Sequence, residues 1–454
     1  MSAETETGTV RVAEFIGGAV PPDAARMRAA AAFRDTAGVI LAGAVEPVAR
    51  VVRGLAGNGQ GECRVLGTPH IVGPEEAAMA NGVAAHALDY DDMCFVSLAH
   101  PSCALIPAAL ATAELVQASG TAIIDAYLVG FELECRLGNV MNPRHYHERG
   151  WHCTSSIGTL GAAAAAARIL GLDIDQTRHA LGIAASTACG LKENLGTMVK
   201  PLHAGVAARN GVMAARLARE GFIASEQALD GPQGYLAVMD SQEAGLDDAV
   251  ADLGTRWEIL ETGITVKLYP CCAATHPPLD ALLELARREA IAPEQVDTID
   301  VEVDSMTPRL LIYDRPTTGL EAKFSMPFCA AAAIIHGRPD IDTFNIERIQ
   351  DPAVQALMPR VTLRANPAYD GAAPLSQARV TVRLRDGRTV SQSSDGARGY
   401  PGRLTDEELA VKFDGCARRS MSQPAIEQAW TALMHLDEVH DVRKLTELFQ
   451  SDGS

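Results

Sequence analysis

Aspartate, histidine and lysine, side chains that can carry acid–base chemistry, cluster in four segments of the 454-residue sequence. In the first segment an apolar stretch stops at Asp89, Asp91 and Asp92, and a new one begins after His100 and Pro101. Histidine and carboxylate at facing helix ends can form a proton-transfer site, whereas any single aspartate could simply cap a helix. We therefore expect function from the cluster that includes His100.

The second segment is a polar, glycine-bearing stretch, residues 150–161, that leads into a run of alanines and contains His152. We expect His152 at the N-terminus of a helix, where the partial positive charge lowers the pKa of an imidazole and attracts anions. In the alternative interpretation His152 is a loop residue, and Thr154 or Ser155 caps the helix.

The third segment, residues 196–205, places Lys200 immediately before a proline and His203 near the start of the next predicted helix. A lone lysine before a helix is usually solvated, but this one lies between apolar segments and near a second titratable side chain. We expect Lys200 to hold a carboxylate with help from the helix end, and His203 is a weaker candidate for the same role.

The fourth segment, residues 267–276, lies where a predicted strand passes into a helix, and it carries Lys267 and His276. Both side chains could face a cleft between two domains, where ligand sites are common. The adjacent Cys271 and Cys272 cannot easily ligate one metal ion together, and no second cluster offers partners. We therefore expect substrate-binding side chains here and no metal.

Together these residues form the set needed to bind carboxylates and to remove a proton from the carbon next to one. Such a carbon acid is weak, so the enediolate that forms must be stabilised by nearby cations or hydrogen-bond donors. The sequence contains no G-x-G-x-x-G after a strand, no G-x-x-x-x-G-K-[ST], no H-E-x-x-H and no nucleophile elbow. Dehydrogenases, kinases and zinc hydrolases are therefore disfavoured.

Composition limits the partners and the compartment. The net charge of −18 disfavours binding to nucleic acid or anionic lipid, but it leaves room for a small anionic substrate where cations converge. We find no uncharged apolar stretch of about 18 residues that could cross a bilayer, and no secretory or mitochondrial signal at the acidic start. The ten cysteines include no Cys-x-x-Cys pair. The prediction is a cytoplasmic protein without a disulfide framework.

Helical periodicity extends from about residue 10 to residue 253, with apolar residues at three- and four-residue spacings and many alanines. Pro21 and Pro22 open one helix, Gly120 closes another, and Asp173 or Asp175 caps a third. The predicted helices are residues 22–43, 74–88, 101–118, 121–138, 154–170, 174–189 and 203–220.

After Trp257 the periodicity changes to alternation, which predicts strands at residues 264–266 and 296–303 and a hairpin over 378–390. Helices are predicted near 277–289, 320–336 and 342–358, and the pattern is helical again from Thr405. The predicted fold is mainly α. It has a large all-helical domain formed by both chain ends, residues 1–256 and 400–454, with an inserted smaller α/β domain at 257–399.

Seven segments of the sequence resemble the MmgE/PrpD family, and the resemblance covers about residues 8–450. They are AAHALDYDD, HPS, GWHCTSSIGTLGA, GIAASTACG, GTMVKPLHAGVAARNG, KLYPCCAATHPP and EAKFS. The family includes 2-methylcitrate dehydratase, cis-aconitate decarboxylase and iminodisuccinate epimerase. The resemblance implies a homodimer with a site between its two domains that needs neither metal nor organic cofactor.

The resemblance also suggests roles for individual residues. Asp89 begins the D-x-D-D element, His100 is the histidine of HPS, His152 belongs to GWH, and Lys200 belongs to TMVKPLH. These positions resemble catalytic or substrate-contacting residues of the decarboxylases. As a hypothesis, His152 or His100 removes the α-proton, Lys200 with Lys267 binds carboxylates, and Asp89 orients a histidine or handles the second proton.

Three departures separate the sequence from the decarboxylases. The stretch from Asp89 to His100 is about one residue longer, Cys153 stands where proline is frequent, and Phe328 falls where they have a pocket tyrosine. We therefore expect a 2-methylcitrate dehydratase-like hydro-lyase first, an iminodisuccinate epimerase-like isomerase second and a decarboxylase last. The rival from another class is a dimer that binds a di- or tricarboxylate without converting it.

Overall fold

The structure, a computed structural model, describes residues 7–56, 61–239, 245–371 and 376–450. The chain divides into two compact units. The large unit comprises Met1–Ala87, Asp91–Ile264 and Asp406–Ser454, and the small unit comprises Leu88–Tyr90 and Thr265–Thr405. The boundaries predicted from the sequence were 256/257 and 399/400, and they did not assign residues 88–90 to the smaller unit.

The large unit begins with helices and one short antiparallel strand pair. They are α1 (Gly8–Gly18), α2 (Asp23–Gly43), α3 (Pro47–Ala56), β1 (Cys63–Arg64), β2 (Ile71–Val72), α4 (Pro74–His86), α5 (Ser102–Val116), α6 (Gly120–Met141), α7 (Arg144–His147), α8 (Cys153–Ser156), α9 (Gly158–Leu170), α10 (Ile174–Thr187), α11 (Val199–Arg219), α12 (Tyr235–Val238) and α13 (Leu246–Ala249).

The small unit combines short helices with a sheet, and the chain then returns to the large unit. Its elements are α14 (His276–Arg288), β3 (Val296–Val303), α15 (Thr307–Leu310), α16 (Gly319–Ala322), α17 (Met326–His336), α18 (Ile346–Ile349), α19 (Pro352–Leu357), β4 (Val361–Ala365), β5 (Ala378–Leu384) and β6 (Thr389–Ser394). The returning helices are α20 (Asp406–Ala417), α21 (Gln423–Met434) and α22 (Val442–Thr446). Short 3-10 helices lie at Lys192–Asn194, Ala273–Thr275, Pro293–Gln295, Ile341–Phe344, Met358–Arg360, Pro367–Tyr369, Leu436–Glu438 and Glu447–Phe449. The mainly α class predicted from the sequence is confirmed.

The sheet of the small unit has the order β4-β3-β5-β6. Strand β4 pairs with β3 in parallel, whereas β5 is antiparallel to both β3 and β6. Alternating burial along β3 and β5 explains why their period-two patterns were visible in the sequence. The predicted hairpin is present, and it turns at Asp386 and Gly387, the latter with φ +91.

Several predicted elements of the small unit differ from the structure. Residues 264–266 belong to no described strand. The predicted helix 320–336 is interrupted between α16 and α17, and the predicted helix 342–358 is divided into several short helices. The side chains of Asp340, Asn345 and Asp351 each accept a backbone hydrogen bond that starts a new turn, which breaks the helix repeatedly. Strand β4 was not predicted.

In the large unit, two predicted helix ends were wrong in ways that matter for the site. Gly120 is the first residue of α6, and the preceding α5 ends at Val116 and is capped by Gln117, which has left-handed backbone with φ 57. Helix α11 begins at Val199, four residues earlier than predicted, so Lys200 lies inside the helix. The first turn tolerates Pro201, because its N–H would have no partner within the helix.

Helix α9 is the alanine-rich centre of the large unit, and each alanine from Ala162 to Ala167 is at most 1% exposed. Small side chains allow neighbouring helices to approach closely. By length and composition the segment Cys153–Leu170 could cross a membrane, although Arg168 interrupts it, and 83% of it is buried inside the protein. A buried core helix passes the same test, so this is weak evidence for a membrane span.

Helices α4 and α11 approach each other at two glycines. A methyl carbon added at Gly82 would lie 2.8 Å from the Cα of Gly205, and one added at Gly205 would lie 2.5 Å from the carbonyl oxygen of Met79. Real side chains do not fit at such distances, so the backbones are in contact. Because α4 ends at His86 and α11 begins just before Lys200, this contact brings the two polar helix ends together.

The close contact at Gly205 predicts that an added methyl group lowers stability there but raises it at a glycine with open space around it. Gly205→Ala should lower the free energy of unfolding by about 1–3 kcal/mol, because the helices must move apart. Gly415→Ala in α20 is the matched control: nothing lies within 4 Å of an added methyl group there. That change should raise stability by about 0.5–1 kcal/mol. Urea unfolding of both variants measures the difference, and equal stabilities would contradict the close contact.

Candidate active site

A buried carboxylate, Asp91, lies between two imidazoles in the large unit. Nδ1 of His86, the last residue of α4, is 2.7 Å from Oδ2 of Asp91, and Nδ1 of His100 is 3.2 Å from the same oxygen. The two imidazole rings meet edge to face, with centroids 4.7 Å apart. The backbone N–H of His100 donates to Oγ1 of Thr154, which fixes the end of the loop.

The protonation of this group follows from burial and from the neighbouring charges. Burial alone would raise the pKa of Asp91, but the two imidazoles hold it well below its ordinary value. Burial lowers the pKa of His86 to about 3, and Lys200 lowers it further while Asp91 opposes the change. At neutral pH the group is therefore an ionised Asp91 that accepts a hydrogen bond from neutral His86.

The next aspartate in the sequence has the opposite protonation. Burial raises the pKa of Asp92 to about 8, although hydrogen bonds from Ser102 oppose the shift. Its Oδ2 lies 2.5 Å from Oγ of Ser102, which is itself 2.9 Å from the hydroxyl of Tyr127. Asp92 is therefore a neutral acid in a buried hydrogen-bond chain at the start of α5, which is a structural role.

A second pair of imidazoles joins the start of α8 to α11. The Nδ1 atoms of His152 and His203 are 3.0 Å apart, so one ring donates a hydrogen bond and the other accepts it. The backbone N–H of His152 donates to the carbonyl of Gly190, which fixes the residue before α8. Its ring stacks near His86, with centroids 5.8 Å apart. The two imidazole pairs therefore form one cluster.

Lys200 adds a cation to this cluster and is only 6% exposed. Burial and then Lys200 lower the pKa of His203 to about 4. The pKa of His152 is also held well below its ordinary value, first by burial and then by the neighbouring imidazoles and Lys200. The sequence-based prediction attributed a low pKa at His152 to a helix end, whereas the larger cause is burial. The imidazoles of His86, His152 and His203 are therefore neutral near pH 7.

Two buried lysines in the small unit hold residues 88–90. Nζ of Lys267 donates to both the backbone oxygen and Oδ1 of Asp89, at 2.9 and 2.8 Å. Nζ of Lys323 donates to the carbonyls of Leu88 and Pro270, each at 2.7 Å. Asp89 has φ 52, a left-handed conformation that non-glycine residues adopt at a cost. Lys267, expected to bind substrate, thus has its ammonium group on Asp89.

His276 is the first residue of α14 and stacks obliquely on Tyr269, with ring centroids 5.0 Å apart. Its Nε2 is buried and has no hydrogen-bond partner among the described residues. Burial opposes ionisation of the neighbouring Cys271, but contacts from Cys329, His276 and Thr275 hold the pKa of its thiol well below the ordinary value. The structure therefore places His276 beside a thiol.

The atoms of His86, Asp91 and His100 lie close enough together to be considered as metal ligands. Two atoms that bind one tetrahedral zinc stand about 3.3 Å apart, since each zinc bond is about 2.0 Å long. The 2.7 Å between His86 and Asp91 is instead a hydrogen-bond distance. These residues would have to separate to hold an ion, so the arrangement fits a hydrogen-bonded network better.

The structure brings together four of the seven predicted site residues in the large unit: His100, His152, Lys200 and His203. The other three, Asp89, Lys267 and His276, belong to the small unit. Sequence reasoning gave no role to His86 or to Lys323, although both stand in quoted motifs, AAHALDYDD and EAKFS. Neither had a periodic signal, because His86 and Asp91 are joined by a non-helical stretch and Lys323 lies between two short helices.

Comparison with known proteins defines the family of this chain. Residues 12–245 match the MmgE/PrpD N-terminal domain, and residues 269–437 match the MmgE/PrpD C-terminal domain. The chain therefore belongs to the MmgE/PrpD family, and the resemblance seen in its motifs is confirmed.

The relatives are named for one reaction. The chain is 29% identical to the cis-aconitate decarboxylase-like protein oryM of Aspergillus oryzae, over 87% of this chain and 86% of that protein. It is 30% identical to the cis-aconitate decarboxylases of Homo sapiens, over 85% and 82%, and of Mus musculus, over 83% and 78%. These relatives are lyases, which supports the expected enzyme class at the level of the family.

The lowered pKa of His203 makes a prediction about stability in acid. The unfolded chain takes up this proton near pH 6.5, whereas the folded protein takes it up near pH 4. The stabilising contribution of neutral His203 is therefore complete above pH 6.5 and is lost as the pH falls. When the pH is lowered from 6 to 5, the free energy of unfolding should fall by about 1 kcal/mol less in His203→Gln than in the natural protein.

Urea unfolding of both proteins at the two pH values measures this difference. Buried acids such as Asp92 have raised pKa values and change stability in the opposite direction, but they do so equally in both proteins. His435→Gln is the control, because His435 lies at the surface with its side chain 61% exposed. Equal losses in all three proteins would show that His203 titrates as it does in the unfolded chain.

Proposed function

We propose that this protein is a lyase that acts on a small di- or tricarboxylate by proton transfer next to a carboxylate, and that decarboxylation of a cis-aconitate-like substrate is its reaction. The observation that carries the proposal is the cluster of the partly exposed His100 with the buried His152, His203 and Lys200. The homodimeric assembly and the cytoplasmic location expected from the sequence remain part of the proposal.

The charges of the cluster support an anionic ligand. Lys200 lies close enough to lower the pKa of both His152 and His203, so cationic charge accumulates where the side chains are buried. Asp91 is the ionised carboxylate among the imidazoles, and Asp92 beside it is neutral. A carboxylate that reaches this cluster gains hydrogen-bond donors and a nearby cation, which compensate for its loss of water.

The neutral imidazoles also support proton transfer. A neutral imidazole can accept a proton, and an arriving carboxylate makes the imidazolium form more favourable by bringing an opposite charge close to it. In decarboxylation, the bond to the leaving carboxylate breaks and its electron pair spreads toward a remaining carboxylate. The imidazolium N–H then gives its proton to carbon, and the ring returns to its neutral form.

The order of the three candidate reactions differs from the order expected from the sequence. Dehydration was expected first and decarboxylation last, because of the departures at Cys153 and Phe328 and in the loop before His100. Relatives at about 30% identity that carry the decarboxylase name favour decarboxylation over dehydration of 2-methylcitrate. The candidate reactions share proton transfer at a carbon next to a carboxylate, so one experiment distinguishes them.

That experiment incubates the protein with cis-aconitate, citrate, 2-methylcitrate or iminodisuccinate in deuterated buffer and follows the products by proton NMR. We expect cis-aconitate to release one carbon dioxide and the remaining dicarboxylate to gain one deuterium. An alkene formed from 2-methylcitrate without gas would instead indicate dehydration. Deuterium at an inverted centre of iminodisuccinate would indicate epimerisation.

Variants of the cluster test whether these side chains carry the reaction. His152→Gln should lower kcat/KM by about 10²–10⁴-fold, the usual contribution of a general acid or base. Lys200→Met should lower it by about 10–100-fold through loss of a charge-assisted hydrogen bond. The surface variants His435→Gln and Lys444→Met are matched controls, with side chains 61% and 74% exposed.

Two outcomes would overturn the proposal. If none of the four compounds is converted and none exchanges a proton with solvent, although they bind, the protein is a carboxylate-binding protein. If conversion occurs but His152→Gln and Lys200→Met leave it unchanged, the cluster is not where the reaction takes place. Circular dichroism of each variant verifies that it is folded.

A further inference from the structure

We propose that Asn142 is a positioning residue, whose side-chain amide ties the loop that leads to His100 to the start of the helix that follows His152. The sequence motifs gave Asn142 no role. Its catalytic meaning rests on the proposed function, whereas its contacts all lie within the large unit and stand by themselves.

The amide of Asn142 has its donor on one segment and its acceptor on another. Its Nδ2 donates to the backbone carbonyl of Ser97 at 2.8 Å, and its Oδ1 accepts from the thiol of Cys153 at 3.5 Å. Burial raises the pKa of the Cys153 thiol to about 12, so the sulfur keeps its proton and can donate. A carbonyl can only accept a hydrogen bond, so these two partners also determine which way the amide faces.

Each partner of Asn142 lies next to a histidine of the cluster. Ser97 precedes His100 by three residues, and Cys153 follows His152 directly as the first residue of α8. The same two segments meet a second time, because the backbone N–H of His100 donates to Oγ1 of Thr154. A displacement of either partner is therefore transmitted to a histidine through a few residues of backbone.

The loop before His100 has a conformation that must be held in place. Leu98 has left-handed backbone, with φ 51, which non-glycine residues adopt at a cost. Such a residue persists only where the surrounding contacts hold it. One of these contacts lies within the loop, where the backbone N–H of Cys94 donates to the carbonyl of Ala99 at 2.9 Å.

Helix α6 supplies the surface on which this loop lies. A methyl carbon added at Gly138 would lie 2.6 Å from the Cα of Ser97 and 2.8 Å from the carbonyl oxygen of Val96, so the two backbones are in contact. Asn142 lies one turn later, where it ends α6 and donates its backbone N–H to the Gly138 carbonyl at 2.9 Å. The close approach therefore fixes the distance between helix and loop, and the Asn142 amide fixes the position of the loop along the helix.

The bond to Cys153 depends on a side chain in which this sequence departs from the decarboxylases. They frequently have proline at this position, which suits the first turn of a helix through its backbone but has no side-chain donor. Cysteine instead adds a donor for Asn142. The link between the two histidine segments thus involves two residues that can be changed separately.

The first test replaces Asn142 with two residues of similar size. At about pH 8, Asn142→Asp presents a carboxylate oxygen to the Ser97 carbonyl, and Asn142→Leu has neither donor nor acceptor. Both should lower kcat for the converted polycarboxylate by about 10–100-fold, because the histidines shift relative to each other. KM should change by less than about 3-fold, since Lys200 is untouched. Asn139→Asp, exposed on the same helix, is the matched control and should change neither quantity.

Acid separates positioning by the amide donor from simple packing. A protonated carboxyl in Asn142→Asp can donate to the Ser97 carbonyl again, and burial beside that carbonyl favours the protonated form. Between about pH 8 and pH 5, its kcat relative to the natural protein should recover by about 5-fold or more, whereas Asn142→Leu should not recover. Glu134 and Lys192, the titratable groups that face Cys153, are present in every protein compared. Equal losses in the two variants at both pH values would overturn the proposal.

The second test concerns the link to the His152 segment. Cys153→Ala removes the donor to Asn142 and should lower kcat by about 3–10-fold, the usual contribution of one hydrogen bond. Cys153→Ser keeps a donor and should retain most of the activity. Cys153→Ala combined with Asn142→Leu should lose no more than Asn142→Leu alone, because the bond is already absent. Losses that multiply would overturn the link between Asn142 and this segment.

A final measurement does not depend on turnover. Nitrogen NMR of protein labelled at its histidines, with His100 and His152 assigned from the His100→Gln and His152→Gln spectra, reports the surroundings of both rings. We expect the signals of both rings to shift in Asn142→Asp, to return toward those of the natural protein in acid, and to stay in place in Asn139→Asp. Unshifted signals of either ring in Asn142→Asp would overturn the proposal. These NMR changes without conversion of any polycarboxylate would overturn only the proposed function.

Discussion

Water has little access to the polar centre of the large unit, so the charges there must be balanced by neighbouring side chains. The structure does this in three ways. Asp35 pairs with Lys412 at 2.6 Å, Asp91 accepts a hydrogen bond from the His86 imidazole, and Asp92 keeps its proton. Glu134, fully buried beside Gly158 and Gly161, also stays protonated because burial raises its pKa well above the ordinary value. The same lack of solvation keeps His86, His152 and His203 neutral, which makes their imidazoles available as bases.

Close helix packing and the charge cluster depend on each other. The backbone contact at Gly82 and Gly205 brings the end of α4 to the start of α11, and with it His86 to the neighbourhood of Lys200. Removing water from this junction then lowers the pKa of the imidazoles. A looser contact would admit water, weaken each electrostatic interaction and let the rings titrate normally. Small residues distant from the chemistry therefore influence the protonation states within it.

Much of the helical framework could be predicted from the sequence, because its signals are local. Asp173 caps α10 and forms a capping box with Gln176, and Pro22 precedes α2 as expected. The alternation in β3 also survives in the fold. The start of α11 was predicted at residue 203, four residues too late, and the helix contains Pro201 in its first turn, where a proline is tolerated.

The relations within the site were harder to predict, because they join segments that no sequence period connects. The motifs identified His100, His152 and Lys200, and the structure gathers them in one unit. The hydrogen bond between His86 and Asp91 crosses a short irregular stretch, so nothing in the spacing indicated it. Protonation was also hidden: Asp91 and Asp92 are adjacent and chemically identical, and only their burial and partners separate an ion from a neutral acid.

The left-handed backbone at Asp89 makes two demands on one residue. Glycine would relieve the torsional cost, but it would deprive the Lys267 ammonium of a carboxylate oxygen at 2.8 Å. Asparagine tolerates the same torsion and keeps an oxygen, but it carries no charge. The backbone torsional cost and the charge at residue 89 can thus be changed separately. Their contributions to holding residues 88–90 in place can therefore be measured separately.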